Sequence, residues 1–517
     1  MSDLLAAAGV LIAAAAGAAA ILLPAGRLRA TAMLAALALV PILIIGDQWH
    51  SPQIADLRND TMRFVALGAL ALTISAAVAA TFHRWALLMP LAIVAALPFR
   101  IPLESGGDTA NLLVPLYLVI AGGVLTTALR DWGMTQEVSP AGGAVGGTAP
   151  EEASATAGGG GSPAATGPAG RTAVAWLPRI LAAVVLLYAL QTLYSPDFSK
   201  SLQNVCFFFV PFSLVYALLR DIVWDRRLLV WALVVVAAEA AVFVLVGSVE
   251  YVTRSLLWND LVIRSNEFHT YFRVNSVFWD PNIYGRYLAL VAVLAMAALL
   301  WTRDRRTFGV LTALIGVLWI GLFPTFSQSS FAALLGGLAV LAALKWSLRW
   351  TLAAVAIGAV AAVLLVTLVG GSKISFSRIN IDTSGRANLV SGGLHLFAQR
   401  PVYGYGAGSF PKAYREHVKS RKVPVSVSHT EPITVAAEQG LVGFVAYLTL
   451  IAAALWTMAR GLGRPASQVG RAAVLAAFVA LLVHTMAYAG FYEDPITWVL
   501  LAVGASLAAA TPVRDST

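Results

Sequence analysis

Cysteine and charge are what this chain has least of. Its one cysteine, Cys206, stands in an apolar stretch, which excludes an internal disulfide framework and any cysteine-based metal site. Lysine, arginine, aspartate and glutamate make up 12% of the 517 residues, about half the share of a soluble domain, while 59% are hydrophobic and the mean hydropathy is +0.78. A water-soluble fold is excluded, and with it a soluble catalytic domain. A basic segment is also missing ahead of the first apolar run, since Arg27 and Arg29 follow it. The chain therefore reads as opening with a spanning helix whose N-terminus is outside, not with a cleaved signal. His269, His395 and His417 lack metal-ligand spacing, so neither a metal nor another cofactor is expected.

What is present is a succession of apolar runs. Those of spanning length fall near 4–24, 31–46, 64–82, 85–99, 111–129, 176–195, 202–219, 228–247, 283–301, 308–323, 331–345, 350–369, 432–457, 472–490 and 495–510. They predict an all-α, polytopic bundle of about 12–15 transmembrane helices. Alternate loops hold Arg27 and Arg29, His83 and Arg84, Arg220 with Arg226 and Arg227, Arg303 with Arg305 and Arg306, Lys345 and Arg349, and Arg460, Arg464 and Arg471. By the positive-inside bias these loops are cytoplasmic, which leaves 47–62, 248–282, 324–330 and 371–430 outside. Residues 134–171 are rich in Gly, Ala, Ser and Pro and offer too little apolar area to offset the entropy of ordering. This disordered cytoplasmic linker divides N-terminal helices at 1–133 from a larger unit at 172–517.

The 371–430 loop breaks the local sign of that bias. Lys373, Arg378, Arg386, Arg400, Lys412, Arg415, Lys419, Arg421 and Lys422 face only Asp382 and Glu416. Such a charge run is either a solvated face touching anionic headgroups or a site for a phosphorylated, membrane-borne substrate, for which arginine supplies a rigid fork. Short motifs accompany it. Arg273 opens RVNSVFWDPNIYGRYL; Arg386 precedes Arg400-Pro401-Val402-Tyr403-Gly404-Tyr405-Gly406; and His429 precedes a helix start containing Gly440 and Gly443.

In their order, spacing and common side these motifs resemble the O-antigen ligase and polymerase superfamily of bacterial membrane glycosyltransferases, over roughly residues 200–510. Two positions depart from the family pattern: Thr430 follows the histidine, and Ser327-Gln328-Ser329-Ser330 replaces a Ser-Arg after the preceding outer loop. The resemblance implies a GT-C-like bundle and an inverting, metal-independent transfer. The donor would be an undecaprenyl-diphosphate-linked glycan, and the reaction would occur on the outer face of the cytoplasmic membrane. The acceptor would be lipid A core, another lipid-linked chain or a protein side chain, which distinguishes a ligase from a polymerase or a protein glycosyltransferase. Besides donor and acceptor, only membrane lipids are expected as partners, and no nucleic acid.

The chemistry assigns roles. A diphosphate leaving group needs cations more than a general acid, and the attacking hydroxyl needs a base. His429 suits the base: Pro432 opens the following helix, whose positive end favours neutral imidazole and attracts phosphate. Arg386 suits the diphosphate clamp. Arg273 and Arg400 either bind substrate or pin the loop to the helix tops, and Arg415 is a further substrate-binding candidate. Tyr403 and Tyr405 either stack on sugar or form an ordinary turn. Glu438 either orients a catalytic partner or lines the lipid-diphosphate path, or else makes an interhelical hydrogen bond, and the last reading is the one expected of Glu239. Asp280 and Asn282 read as helix caps, and His484 with Glu493 and Asp494 as helix-end packing. A transporter for lipid-linked glycans is the rival reading; it would line a path through the bilayer with charge, whereas these arginines gather in one loop.

Overall fold

The computed structural model describes residues 3–51, 54–55, 59–105, 108–133, 168–268, 271–370, 385–419, 425, 427–462 and 468–510. His269, Lys373, Arg378, Arg421, Lys422 and the linker up to residue 167 therefore lie outside the described residues, while 168–171 begin a helix. Helices α1 (Asp3–Leu22), α2 (Arg27–Asp47), α3 (Thr61–Arg84) and α4 (Leu88–Ala96) lead to a hairpin of β1 (Ile101–Ser105) and β2 (Asp108–Leu112), then to α5 (Val114–Gly133). After the linker come α6 (Pro168–Thr192), α7 (Phe198–Asn204), a π-helical turn (Val205–Phe209), α8 (Val210–Leu219), α9 (Arg226–Thr253) and α10 (Asp260–Phe268). Next are α11 (Pro281–Trp301), α12 (Arg305–Leu322), α13 (Gln328–Lys345) and α14 (Leu348–Gly370). The remaining helices are α15 (Arg386–Gln399), α16 (Phe410–His417), α17 (Glu431–Ala459), α18 (Gln468–Thr485) and α19 (Pro495–Ala509).

The architecture is the expected helical membrane bundle. Among the described residues, ten helices are long and apolar enough to cross a membrane, and four apolar helices are shorter. Much of the scarce acidic charge is spent at helix starts. Asp60, Asp197, Asp225, Asp280, Asp304 and Asp494 each accept a hydrogen bond from a first-turn amide that has no partner within its own helix.

One expected span is corrected. The 85–99 run forms only the nine-residue α4, about 13 Å long at 1.5 Å per residue, and the chain then passes into an antiparallel hairpin that pairs Ile101 with Leu112. Pro98 and Pro102 account for the change, because the residue before a proline is pushed out of the helical region. The extended chain still climbs: Phe99 meets Phe243 of α9 edge-on at 5.9 Å, and Arg100 comes within Coulombic reach of Tyr488.

The bundle has two distinct ends. At one, Gly26 N donates to Asp131 (3.0 Å), Arg29 pairs with Asp221, Arg220 donates to the carbonyls of Ile21 and Leu23, and Ser506 donates to the Ile222 carbonyl (2.5 Å). At the other, Ser199 and Gln203 donate to Asp47, and Tyr194 donates to the Tyr403 carbonyl (2.7 Å). There too, Glu250 accepts from the amides of Asn275 (3.2 Å) and Ser276 (2.7 Å). The N-terminal helices pack directly on the later ones: α1 lies against α6 and α8, and Tyr117 of α5 donates to the Phe207 carbonyl in the π-turn (2.9 Å). Two acid–base groups hold the bundle interior together. Tyr287 donates to Glu239 (2.7 Å), the interhelical bond expected of that glutamate, and buried Arg286 pairs with buried Asp494 at 2.7 Å.

Candidate active site

The site is assembled around an interruption in α17. Gly440 adopts φ 63°, ψ −163° inside this helix, which frees backbone groups at membrane depth. The 401–406 loop fills the gap like a short ladder. Leu441 N donates to the Pro401 carbonyl (2.7 Å) and Val442 N to that of Val402 (3.2 Å), while Tyr405 N and Gly406 N donate to the carbonyls of Ala437 (3.2 Å) and Glu438 (2.7 Å). Glu438 completes the weave by accepting from Gly408 N and Phe410 N, both at 2.9 Å. The glycines of the P-x-x-G-x-G motif thus serve backbone approach: a β-carbon on Gly404 would lie 2.3 Å from the Glu438 carbonyl oxygen.

This weave fixes the residues around His429. The helix start expected from Pro432 is present, since α17 begins at Glu431 with the proline in its first turn. His429 itself holds a left-handed backbone (φ 63°), uncommon for a residue with a β-carbon and a form of strain that clusters at functional sites. Ser428 stabilises the turn by donating to the Thr430 carbonyl (2.8 Å) and bonding Thr434 Oγ1 (2.7 Å). Glu431 then accepts from Gly490 N (2.6 Å) and Phe491 N (3.1 Å), which draws the α18–α19 connection alongside and sets the Tyr488 ring 6.3 Å from the His429 ring.

Arg386 opens α15, which packs on α17 through Gly393 against Ile433, and its guanidinium donates to the Ala487 carbonyl (3.4 Å). Arg273 is held by its Nε on the Thr325 carbonyl (2.8 Å), its Nη2 on Asn282 Oδ1 (3.3 Å) and a backbone exchange with Asn266. Asp280 caps α11 with one carboxylate oxygen and accepts from the Tyr488 hydroxyl (3.4 Å) with the other. Three helix N-termini, those of α11, α15 and α17, therefore meet at one place, an arrangement that favours anions.

The electrostatics agree. Burial lowers the His429 pKa, the Arg386 charge lowers it further, and Asp280 opposes both, so the imidazole is neutral near pH 7. Burial also lowers the Arg273 pKa; Asp280 and Tyr271 raise it and Arg386 lowers it, so the two guanidiniums feel each other. Burial followed by the Asp280 charge raises the Tyr488 hydroxyl, which remains protonated and a donor. Among the described residues Asp280 is the one carboxylate acting on His429 and Arg273, so with Arg386 the group carries a net positive charge for an anion to neutralise.

The other sequence candidates lie elsewhere. The exposed Arg400 sits over the Tyr405 ring at 4.3 Å, and Tyr405 donates to Gln399 (2.5 Å), a loop pin. Tyr403 points outward at 64% exposed while its carbonyl is held by Tyr194. Arg415 donates to the Val425 carbonyl (3.3 Å) and, with Glu438, borders a separate cavity that His429, Arg386 and Arg273 do not line. His395 and His417, read as scattered, stack at 4.3 Å.

Sequence reasoning did not place Asp280, Tyr488 or His484 in the site. His484 is fully buried, bonds Ser329 (3.1 Å) and lies 5.6 Å from Tyr488. Ser329 belongs to a hydroxyl cluster in which Ser327 bonds Ser330 (2.8 Å) and Asn282 (2.9 Å), so the segment that departs from the family pattern supports Arg273 through Asn282. An intramembrane histidine was a signal. For Tyr488 there was none, since an aromatic residue past a helix end is common.

The multi-pass bundle thus gathers two half-buried arginines and a neutral imidazole at one end, an arrangement that favours an anion. The O-antigen ligase family model matches residues 313–448, which contain Arg386, the 400–406 motif, His429 and Gly440. That part of the chain is thus similar to the O-antigen ligase family, as its motifs suggested. Compared with the curated proteins, it has no match.

Proposed function

We propose that the protein transfers a glycan from a polyprenyl-diphosphate carrier, undecaprenyl diphosphate in a bacterial cytoplasmic membrane, to an acceptor hydroxyl on the extracytoplasmic face. The observation that carries this reading is the meeting of Arg273, Arg386 and neutral His429 at three helix N-termini. His429 takes the proton of the acceptor hydroxyl as its oxygen bonds the anomeric carbon. The bond from that carbon to the phosphate oxygen breaks, and the diphosphate leaves with the electron pair onto the two guanidiniums. Attack opposite the leaving group inverts the anomeric centre. Asp280, which raises the His429 proton affinity, stabilises the imidazolium that results.

A ligase-type acceptor is the favoured form, with a polymerase as the second. The test is purified protein in vesicles with an undecaprenyl-diphosphate-linked glycan and each acceptor class in turn. Product from a lipid A core acceptor supports the ligase, and elongated carrier-linked glycan supports the polymerase. Consumption of neither overturns the transferase reading.

A further inference from the structure

Across the 427–431 segment from His429 lies a cavity of about 500 Å³, within the roughly 300–1,000 Å³ of pockets that enclose small ligands. Two short segments serve both compartments. Val427 and Glu431 line the cavity while His429 between them lies by Tyr488; Ala489, Gly490, Tyr492 and Glu493 line it while Tyr488 lies by His429.

The chemistry of the two compartments differs. The cavity is bordered by the carboxyls of Asp197, Glu431, Glu438 and Glu493 together with Lys200 and Arg415, a set rich in hydrogen-bonding groups. Glu431 and Glu438 are held rigid by backbone amides, with acceptor capacity to spare. Aromatic surface adjoins them: Tyr188 stacks on Phe209 at 4.0 Å, and Phe209 meets Tyr492 at 5.4 Å.

An independent feature points to a ligand. Asn204, 4% exposed, lines the cavity and donates Nδ2 to the Tyr188 hydroxyl at 2.8 Å, but its Oδ1 has no partner. Whichever way the amide is turned, one polar end is unpaired, a state buried amides avoid. The helix widens into the π-turn directly after Asn204, a distortion frequent at functional sites.

We propose that this cavity is a sugar subsite that binds an uncharged, hydroxyl-rich sugar unit beside the reacting centre. The carboxyl groups hydrogen-bond the sugar hydroxyls, the Asn204 amide completes the polar set, and the rings take the C–H face of the sugar. Whether the sugar belongs to donor or acceptor rests on the transferase reading; its binding does not.

The experiment uses the full chain in a sugar-free detergent and a panel of neutral hexoses and N-acetylhexosamines, read by saturation-transfer NMR. At least one sugar should receive saturation, at least fivefold weaker in Asn204→Ala and in Glu493→Gln, unchanged in His429→Ala and unaffected by inorganic pyrophosphate. Melting curves verify folding, and Glu493→Gln decides if Asn204→Ala unfolds. No saturation of any sugar, equal saturation in the folded variants, or displacement by pyrophosphate overturns the subsite. In transfer assays a raised KM for donor alone places the donor glycan there, and for acceptor alone the acceptor. Sugar binding without transfer would remove the transferase reading and leave the subsite standing.

Discussion

Gly404 and Gly440 meet backbone against backbone: a β-carbon on Gly404 would stand 2.6 Å from the nitrogen of Gly440, and one on Gly440 would stand 2.6 Å from the nitrogen of Gly404. Both also have positive φ, 66° and 63°. Gly404→Ala and Gly440→Ala should each destabilise by more than the ~1–3 kcal/mol of backbone strain alone, because the clashing atoms are main chain. Gly385→Ala is the control: φ is 84°, yet nothing lies within 4 Å, so only strain is added. Fluorescence-detected melting should rank the control well above the other two. Equal melting of all three variants would remove the loop-in-helix weave as a source of stability.

Transfer should fall on acidification, with an apparent midpoint below 6.5, since burial and then Arg386 lower the His429 pKa and only its neutral form accepts a proton. The sign follows each partner. Arg386→Ala removes a lowering charge and should raise the midpoint; Asp280→Asn removes the opposing charge, keeps a capping side chain and should lower it. His429→Ala should cost about 10²–10⁴-fold in rate. A wild-type rate in that variant would end the base assignment.

Arg386→Ala should weaken donor affinity roughly 10- to 100-fold, the value of a hydrogen bond to a charged group at ~1.5–3 kcal/mol. Arg386→Lys should recover part of it, because an ammonium lacks the planar fork. Donor binding in detergent beside single-turnover transfer separates this effect from that of His429→Ala, which should leave affinity nearly unchanged. Normal donor affinity in Arg386→Ala would move the clamp to Arg273.

Breaking the buried Arg286–Asp494 pair by Arg286→Met should cost ~3–5 kcal/mol and lower the melting midpoint, because a carboxylate is left without its cation. Adding Asp494→Asn, which keeps the α19 cap, should restore most of the loss. A double variant no more stable than the single one would show that the carboxylate was not the penalty.

Sidedness can be read with an impermeant thiol reagent in intact cells, since the native Cys206 is buried. A cysteine at Ser420 should be labelled and one at Ser162 protected. The reverse pattern would place the cationic site on the cytoplasmic face.

The sequence disclosed the bundle because each apolar run is long and bounded by charge, and it singled out His429 and Arg386 because both stand in short motifs. It misread 85–99, where composition is that of a span but prolines at 98 and 102 end the helix early. Asp280 was read as a cap, and it is one; its second oxygen, turned to Tyr488, lies in a contact 208 residues away that no local pattern encodes. Arg400, Tyr403 and Tyr405 drew attention by type, yet their neighbours show that their motif contributes backbone rather than side chains. Glu438 left its readings open because an intramembrane carboxyl looks the same in sequence whether it orients a partner, lines a substrate path or bonds a neighbouring helix; here it accepts from the Gly408 and Phe410 amides of a loop and borders a cavity.

The way α1 and α2 are seated has a consequence for how the chain can be divided. Arg220 grips the carbonyls of Ile21 and Leu23, Arg29 pairs with Asp221, and at the opposite end Ser199 and Gln203 hold Asp47. Non-covalent contacts therefore clasp the first helices to the later ones at both ends of the bundle. Two genes, one ending and one beginning within residues 134–167, would encode halves that find each other in the bilayer. The chain is thus expected to tolerate a cut there.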